Sequence, residues 1–520
     1  MIIFPLVFRV TKVTSISVPR GLIVYLDCLS WTHYYYDEDE NIGALLQLNP
    51  NWMTQLAHWK KSGILSSYTL LRDPMSLQEL NSFAYGRAIW RENNTHTYVS
   101  PSHNPNRPDV NDYLCVAFYD DGPIFYIVGD SEQARAETAA YFMSLEKPSD
   151  GGSSICVCTL NGERKFDFRT AGSQCLSRLF EMNPGRDVTF RNMTLSIEQS
   201  EVLATKLHPF FLTLKSCIFE DSGKKFVDTL AHRKFDNFSS LAFAGSLALN
   251  EYNLKRLLQL EVIDALRVPW LNNDDLTLMT LSSKFYSLTC CLEISSLDTT
   301  FESLNIQATN LYLAIYTSEK EFPTEPVLSL LRRIAELGHF EKLKISFPLR
   351  NYDDIPACVA NELIRTVLAN KDLFYLDLFT TDDEMPWDSH FVTLFEGLKD
   401  HPKLETLKIK VDYPEEAFGH DYVHLLRLLN HNRYIGMEDN EGYAYSDGPR
   451  IDALFKLNWF YCGSVRLGAE EASVRSSLVV AALIERAAGD FQRSSLVLAH
   501  HADALCELVA VTAWDDSQLI

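Results

Sequence analysis

Positive charge is scarce in this chain of 520 residues. Lys and Arg number 47 against 69 Asp and Glu, a formal net charge of −22. That balance argues against general binding to nucleic acid or to anionic membranes. No apolar run approaches the roughly 18 residues needed to cross a bilayer, and the apolar stretch Leu478–Ile484 is far shorter. The opening MIIFPLVFRVTK holds eight apolar residues ended by Arg9. No basic stretch precedes them and no small-residue cleavage signal follows, so no signal peptide is expected. Glycine-rich phosphate loops, G-x-S-x-G and H-E-x-x-H are all absent. The 11 cysteines are scattered, with Cys156/Cys158 and Cys290/Cys291 as close pairs. Neither pair has a partner pair at zinc spacing, and the thiols read as buried and reduced in a cytosolic protein. Acceptor-type triplets start at Asn93, Asn192 and Asn237, a motif short enough to recur by chance.

What is present is a core-forming chain, 46% apolar and 22% charged. Residues 1–20 show no clear pattern. Residues 21–183 read as an α+β segment. It has a β-rich run GLIVYLDCL (21–29) and helices over 42–62 and 76–92. Two strands fill 112–130 around an Asp121-Gly122 turn. Asp130 and Gln133 are placed to cap a helix over 131–147. A second hairpin fills 153–168, turning at Asn161-Gly162. The polar, proline-bearing stretch 93–111 reads as a loop.

From residue 184 a unit recurs: apolar-x-x-apolar-x-apolar, then an amphipathic helix. Phe340/Leu343/Ile345, Leu373/Leu376/Leu378 and Leu404/Leu407/Ile409 fit best, at steps of 33 and 31. Weaker copies end at Phe190, Leu214, Phe243, Val268, Ile294 and Leu313, and the step of 19 between the last two marks a damaged or mis-phased unit. Val327, Leu330, Leu331, Ile334 and Leu337 repeat at helical spacing, as do Leu363, Ile364, Val367 and Leu368, and Phe391, Leu394, Phe395 and Leu398. Such units cannot bury their faces alone, so stacking is expected. Strands should centre near residues 213, 242, 293, 344, 377 and 408, parallel and in one sheet. Residues 436–520 leave the pattern and read as a helical cap over the open end of a 184–435 array.

These units resemble leucine-rich repeats of ribonuclease-inhibitor-like length. The stretches NPGRDVTFRNMTLSIEQSEVLATKLHP, FPTEPVLSLLRRIAELGHF and DALFKLNWFYCGS are similar to a family of diatom-type leucine-rich-repeat proteins. The resemblance implies an α/β solenoid with a curved parallel sheet inside and helices outside; it implies no activity. The consensus Asn or Cys three residues past the last apolar position is filled by Cys217, Ser246, Thr381 and Asp412. It is missing at Leu271, Leu297 and Pro348.

No catalytic, cofactor or metal constellation emerges. Asp37–Glu40 lacks the spaced ligands of a calcium loop. His420/His424, at i and i+4, lack a third ligand. His500-His501 near Cys506 point to different helix faces. Asp120 and Asp121 are simplest as turn residues. The one pattern pointing outward is Lys342, Lys344, Lys408 and Lys410, with Tyr375, Asp377 and Phe379 between them, at alternate positions of neighbouring strands. This face is expected to bind an acidic or phosphorylated protein segment. The expectation is a non-enzymatic protein-interaction scaffold with no cofactor, cytoplasmic or nuclear. A substrate adaptor of a ubiquitin ligase and an enzyme in the α+β segment stand as alternatives. Neither the partner nor the oligomeric state is written in these residues.

Overall fold

The computed structural model describes residues 46–48, 66–70, 72–74, 76–81, 87–101, 112–119, 122–145, 154–159, 165–183, 185–206, 211–233, 238–295, 301–319, 321–348, 354–379 and 385–506. The expected strand 21–29, the acidic run Asp37–Glu40, Asp120, Asp121 and the Asn161-Gly162 turn lie outside these residues, as does most of the expected helix 42–62.

The strands are β1 (Leu46–Leu48), β2 (Ser66–Leu70), β3 (Arg87–Arg91), β4 (Thr95–Pro101), β5 (Leu114–Phe118), β6 (Pro123–Gly129), β7 (Ser154–Thr159), β8 (Phe166–Asp167), β9 (Asp187–Arg191), β10 (Met193–Leu195), β11 (Phe211–Lys215), β12 (Ile218–Phe219), β13 (Phe238–Ala244), β14 (Ile263–Arg267), β15 (Ser287–Glu293), β16 (Asn310–Tyr316), β17 (Lys342–Ser346), β18 (Tyr375–Asp377), β19 (Thr406–Lys408) and β20 (Gly436–Glu438). Seventeen of them form one sheet. Its first part is largely antiparallel, in the order β1-β2-β3-β4-β6-β5-β7. β7 then pairs in parallel with β9. From β9 through β11 and on from β13 to β20, each strand pairs in parallel with the next. The short strands β8, β10 and β12 make a separate parallel sheet. The protein is thus a mixed α/β fold with a large, mostly parallel sheet and outer helices, and the sheet does not close into a barrel.

The expected register holds where the repeat is strongest: Lys344 lies beside Asp377, and Asp377 beside Lys408. Phase fails at one place. Leu313 is level with Cys290, not with Ile294. The damaged step of 19 is therefore a slip of four residues, caused by a cysteine in a slot that reads more easily as isoleucine or leucine. Cys290 fills it as a buried side chain.

Each connecting helix turns one apolar stripe to the shared core. In Thr324–Leu337 the stripe is Val327, Leu330, Leu331 and Ile334, all buried, and Gly338 ends the helix with φ of 63°, a conformation a Cβ disfavours. A buried polar ladder joins successive units at the helix ends. Asn370, His401 and Asn432 recur at equal spacing. Asn370 Oδ1 accepts from Phe340 N at 3.1 Å. His401 Nδ1 accepts from Leu404 N at 2.9 Å, which leaves Nε2–H to donate to Asn370 O at 3.1 Å. Asn432 Nδ2 donates to His401 O at 2.9 Å. Burial holds the His401 imidazole below its usual pKa, consistent with this neutral donor–acceptor role.

The N-terminal part corrects several expectations. Leu46–Leu48, inside the expected helix 42–62, is a strand. The expected helix 76–92 is one short helix, Gln78–Asn81, followed by β3. The expected loop 93–111 begins with β4, because Thr95, Thr97 and Val99 alternate toward one face of the sheet and Asn94, at φ of 61°, makes the preceding turn. Ser131, not Asp130, caps the helix Glu132–Met143 by accepting from Ala134 N. Asp130 instead accepts from Asn94 Nδ2 at 2.6 Å. The expected hairpin over 153–168 does not form: β7 pairs with β5 and β9, and β8 with β10. At the other end, β20 extends the parallel sheet past residue 435, so the helical portion begins at Pro449. The helix Pro449–Leu467 packs on the preceding unit, with Asn458 Nδ2 donating to Leu429 O at 2.8 Å.

Candidate functional site

Alternation within the parallel strands divides each into core and outward residues. Leu343, Leu376 and Leu407 are fully buried among the helices, so Lys342, Lys344, Tyr375, Asp377 and Lys408 project to the opposite face. There Lys342 stands beside Tyr375, Lys344 beside Asp377, and Asp377 beside Lys408. Phe379 and Lys410 follow their strands and are half-buried. The expected residues are therefore brought together.

Their electrostatics differ from a simple positive patch. Asp377 is 7% exposed. It accepts from Lys344 Nζ at 3.1 Å and from the Phe379 backbone N–H at 2.9 Å. Lys408 has Glu438 as its neighbour on β20. Lys410 Nζ lies 3.6 Å from Asp412 Oδ2. The row Lys344, Asp377, Lys408, Glu438 alternates in sign, and internal pairing takes up much of the cationic character. Lys342 is different: its ammonium lies 5.3 Å from the Phe374 ring and 5.8 Å from the Tyr375 ring, a cation–π geometry. Burial, reinforced by Asp377, raises the Tyr375 phenol above its usual pKa. Burial likewise raises that of Tyr312, the register neighbour of Lys344. Both phenols are neutral at physiological pH, and the Tyr375 hydroxyl donates to Asp377 Oδ2 at 3.4 Å. Tyr286, 53% exposed, donates to Glu341 Oε2 at 2.8 Å. The result is a Tyr–Lys surface over β15–β19.

Other singled-out residues take structural places. Asp421 and Tyr422 both have φ of 55°, which breaks the helix between His420 and His424. The two imidazoles do not share a face: His420 pairs with Asp421, and His424 lines a groove of about 460 Å³ between the outer helices Phe391–Leu398 and Val423–His431. His500 and His501 both turn to Ser464, at 3.2 and 2.7 Å. Asn93 and Asn192 spend their amides inward, on Ala134 O and Thr159 O. Cys217, at the consensus turn position, donates to Phe190 O at 3.2 Å. Among the described residues no group of three His, Cys, Asp or Glu converges to hold a metal ion. Nor, among them, is any helix long and apolar enough to cross a membrane.

Sequence reasoning missed Arg191, Lys215 and Arg267 on the same outward face. They flank the last apolar positions of the weaker units, Phe190, Leu214 and Val268, where the pattern is least regular. No family model and no curated protein matches the chain.

Proposed function

We propose that the protein is a non-enzymatic scaffold of the leucine-rich-repeat type, and that it binds a protein partner on the sheet face turned away from the helices. On this reading the parallel units are a divergent solenoid and that face is its concave side. The antiparallel strands seal one end and the helices after Pro449 cap the other. The observation that carries the reading is the row of large, partly exposed side chains across strands that are otherwise fully paired. Aromatic and cationic groups held on a rigid sheet make contact area at low entropic cost. Tyr375 with Lys342 over its ring is the centre. Lys344, Asp377, Phe379, Lys408 and Lys410 surround it, their internal ion pairs fixing side-chain positions in advance. An acidic or phosphorylated protein segment is the partner chemistry. Buried thiols favour a reducing compartment, the cytoplasm or the nucleus: burial raises Cys175 and Cys217 to about 12, so both stay protonated.

Affinity purification of the full chain followed by mass spectrometry identifies partners. A Lys342→Ala/Tyr375→Ala double variant should release the specific partner at least tenfold more readily, with an unchanged fold. Equal retention by both proteins would remove the scaffold reading.

A further inference from the structure

Among the described residues, three cations on the outward face, Arg191, Lys215 and Arg267, are answered by no acid. Arg191 and Lys215 are register partners on β9 and β11. Arg267 lies on β14, where it is level with Ala242 of β13. Lys215 and Arg267 are exposed and Arg191 is half-buried. Among the described residues none of the three enters an ion pair, while several other surface cations do. Arg169, for example, bridges Asp167 and Glu220 at 2.8 and 3.0 Å. Like charges directly opposite each other weaken a sheet. In a chain with 69 acidic side chains, an unanswered pair of this kind has a cost that folding does not explain.

The surroundings suit a ligand. Thr189 and Thr213, also register partners, stand two residues before Arg191 and Lys215 and face the same way. Beyond them come Ala242 and Ala244, so the floor between the cations is low. This contrasts with the large Tyr312, Lys342 and Tyr375 farther along the face.

We infer that Arg191 and Lys215, with Arg267, form a recognition site for a phosphorylated segment of a partner protein. The inference rests on the scaffold reading and assigns its anion-reading end. Cations on strands ~4.8 Å apart converge on one small group. A single carboxylate brings one charge and would leave one cation unmatched. A phosphate brings about −1.5 to −2 and three acceptor oxygens, and the planar guanidinium of Arg191 matches two of these in a fork. Arg267 lies two strands from Lys215 and one step along, roughly 12 Å away by strand spacing. It is placed for a second acidic residue of the same segment. The aromatic surface over β15–β19 lies several strands beyond, within reach of an extended continuation of the segment.

The test uses the full-length protein, a degenerate pool of phosphoserine and phosphothreonine peptides, the same pool after phosphatase treatment, an oligonucleotide and phosphatidylserine vesicles. The phosphorylated pool should be retained at least tenfold over the dephosphorylated pool, and less as salt rises. Arg191→Glu/Lys215→Glu should abolish that preference. The milder Arg191→Gln/Lys215→Gln should reduce it severalfold with an unchanged melting temperature, which separates recognition from folding. Equal retention of the two pools, an unaffected charge-reversal variant, or stronger retention of the oligonucleotide or vesicles would overturn the inference. The scaffold reading fails separately: it falls if a captured partner is indifferent to Lys342→Ala/Tyr375→Ala, whatever the peptide pools show.

Discussion

The same sheet face is closed at one end and open along the rest. On β3–β7 its residues Ala88, Tyr98, Cys115, Ala117, Tyr126 and Val128 are all buried, and Tyr113 meets Tyr126 edge-on at 5.1 Å between ring centroids. On β9–β20 the register-equivalent positions, such as Thr189, Tyr312 and Lys344, stay partly exposed. Cys156 on β7 pairs with Thr189 on β9, so one continuous row passes from the closed part to the open part. A strand buried on both faces must carry apolar or neutral residues on both. A strand buried on one face is free to carry Lys, Arg and Asp on the other. Stability is thus invested at the closed end, and charged side chains have room on the open run.

Substitution across this boundary should show it. Tyr126→Ala, on the closed part, should cost about 3–5 kcal/mol by the usual toll of emptying a buried aromatic site. Tyr375→Ala, on the open part, should cost about 1 kcal/mol. Chemical unfolding of the two variants measures both, and similar losses would erase the distinction.

Acid should act on the closed end next. Burial lowers His96, on β4, to about 4, against the opposing pull of Asp130. An unfolded histidine titrates near 6.5. The folded form resists the proton, so stability is full above about pH 6.5 and is lost as pH falls from there toward 4. The loss is on the order of 2–3 kcal/mol by linkage. His96→Gln should flatten that slope in a series of thermal melts. A slope of opposite sign would mean that the imidazole is charged in the fold.

Within the open run, Asp377→Ala should cost about 1–2 kcal/mol, because the Phe379 amide and Lys344 lose their acceptor. Lys215→Ala should change stability by less than about 0.5 kcal/mol, or raise it slightly by relieving Arg191. A destabilising Lys215→Ala would show that its charge has a structural partner.

The parallel units were legible because Leu343, Leu376 and Leu407 keep one hydrophobic phase over long spans. Where cysteine replaced an aliphatic residue, at Cys290, the phase was lost. The antiparallel end was legible in part: the two apolar runs around Asp121-Gly122 read as strands, and β5 and β6 do pair antiparallel, while the more polar β4 escaped. THTYVSP, flanked by asparagines and prolines, reads as a loop. The ladder of Asn370, His401 and Asn432 was present in the sequence, but the change of residue type hides a shared role. Outward positions of Lys344 and Lys408 followed from alternation alone. So did the place of Asp377 between them; the register of Lys408 beside Glu438 did not, nor did the lack of an ion pair, among the described residues, at Arg191, Lys215 and Arg267. Those depend on register between strands many residues apart.

The central claim is that the helix-free face is the binding surface, and lysine footprinting tests it most directly. Acetylation of the full chain with and without a captured partner, read by mass spectrometry, compares Lys215 and Lys342 on the open face with Lys225, Lys255 and Lys399 on the helical side. The account predicts that Lys215 and Lys342 become protected while the other three react as before. Protection of Lys225, Lys255 or Lys399 with Lys215 and Lys342 unchanged would contradict it.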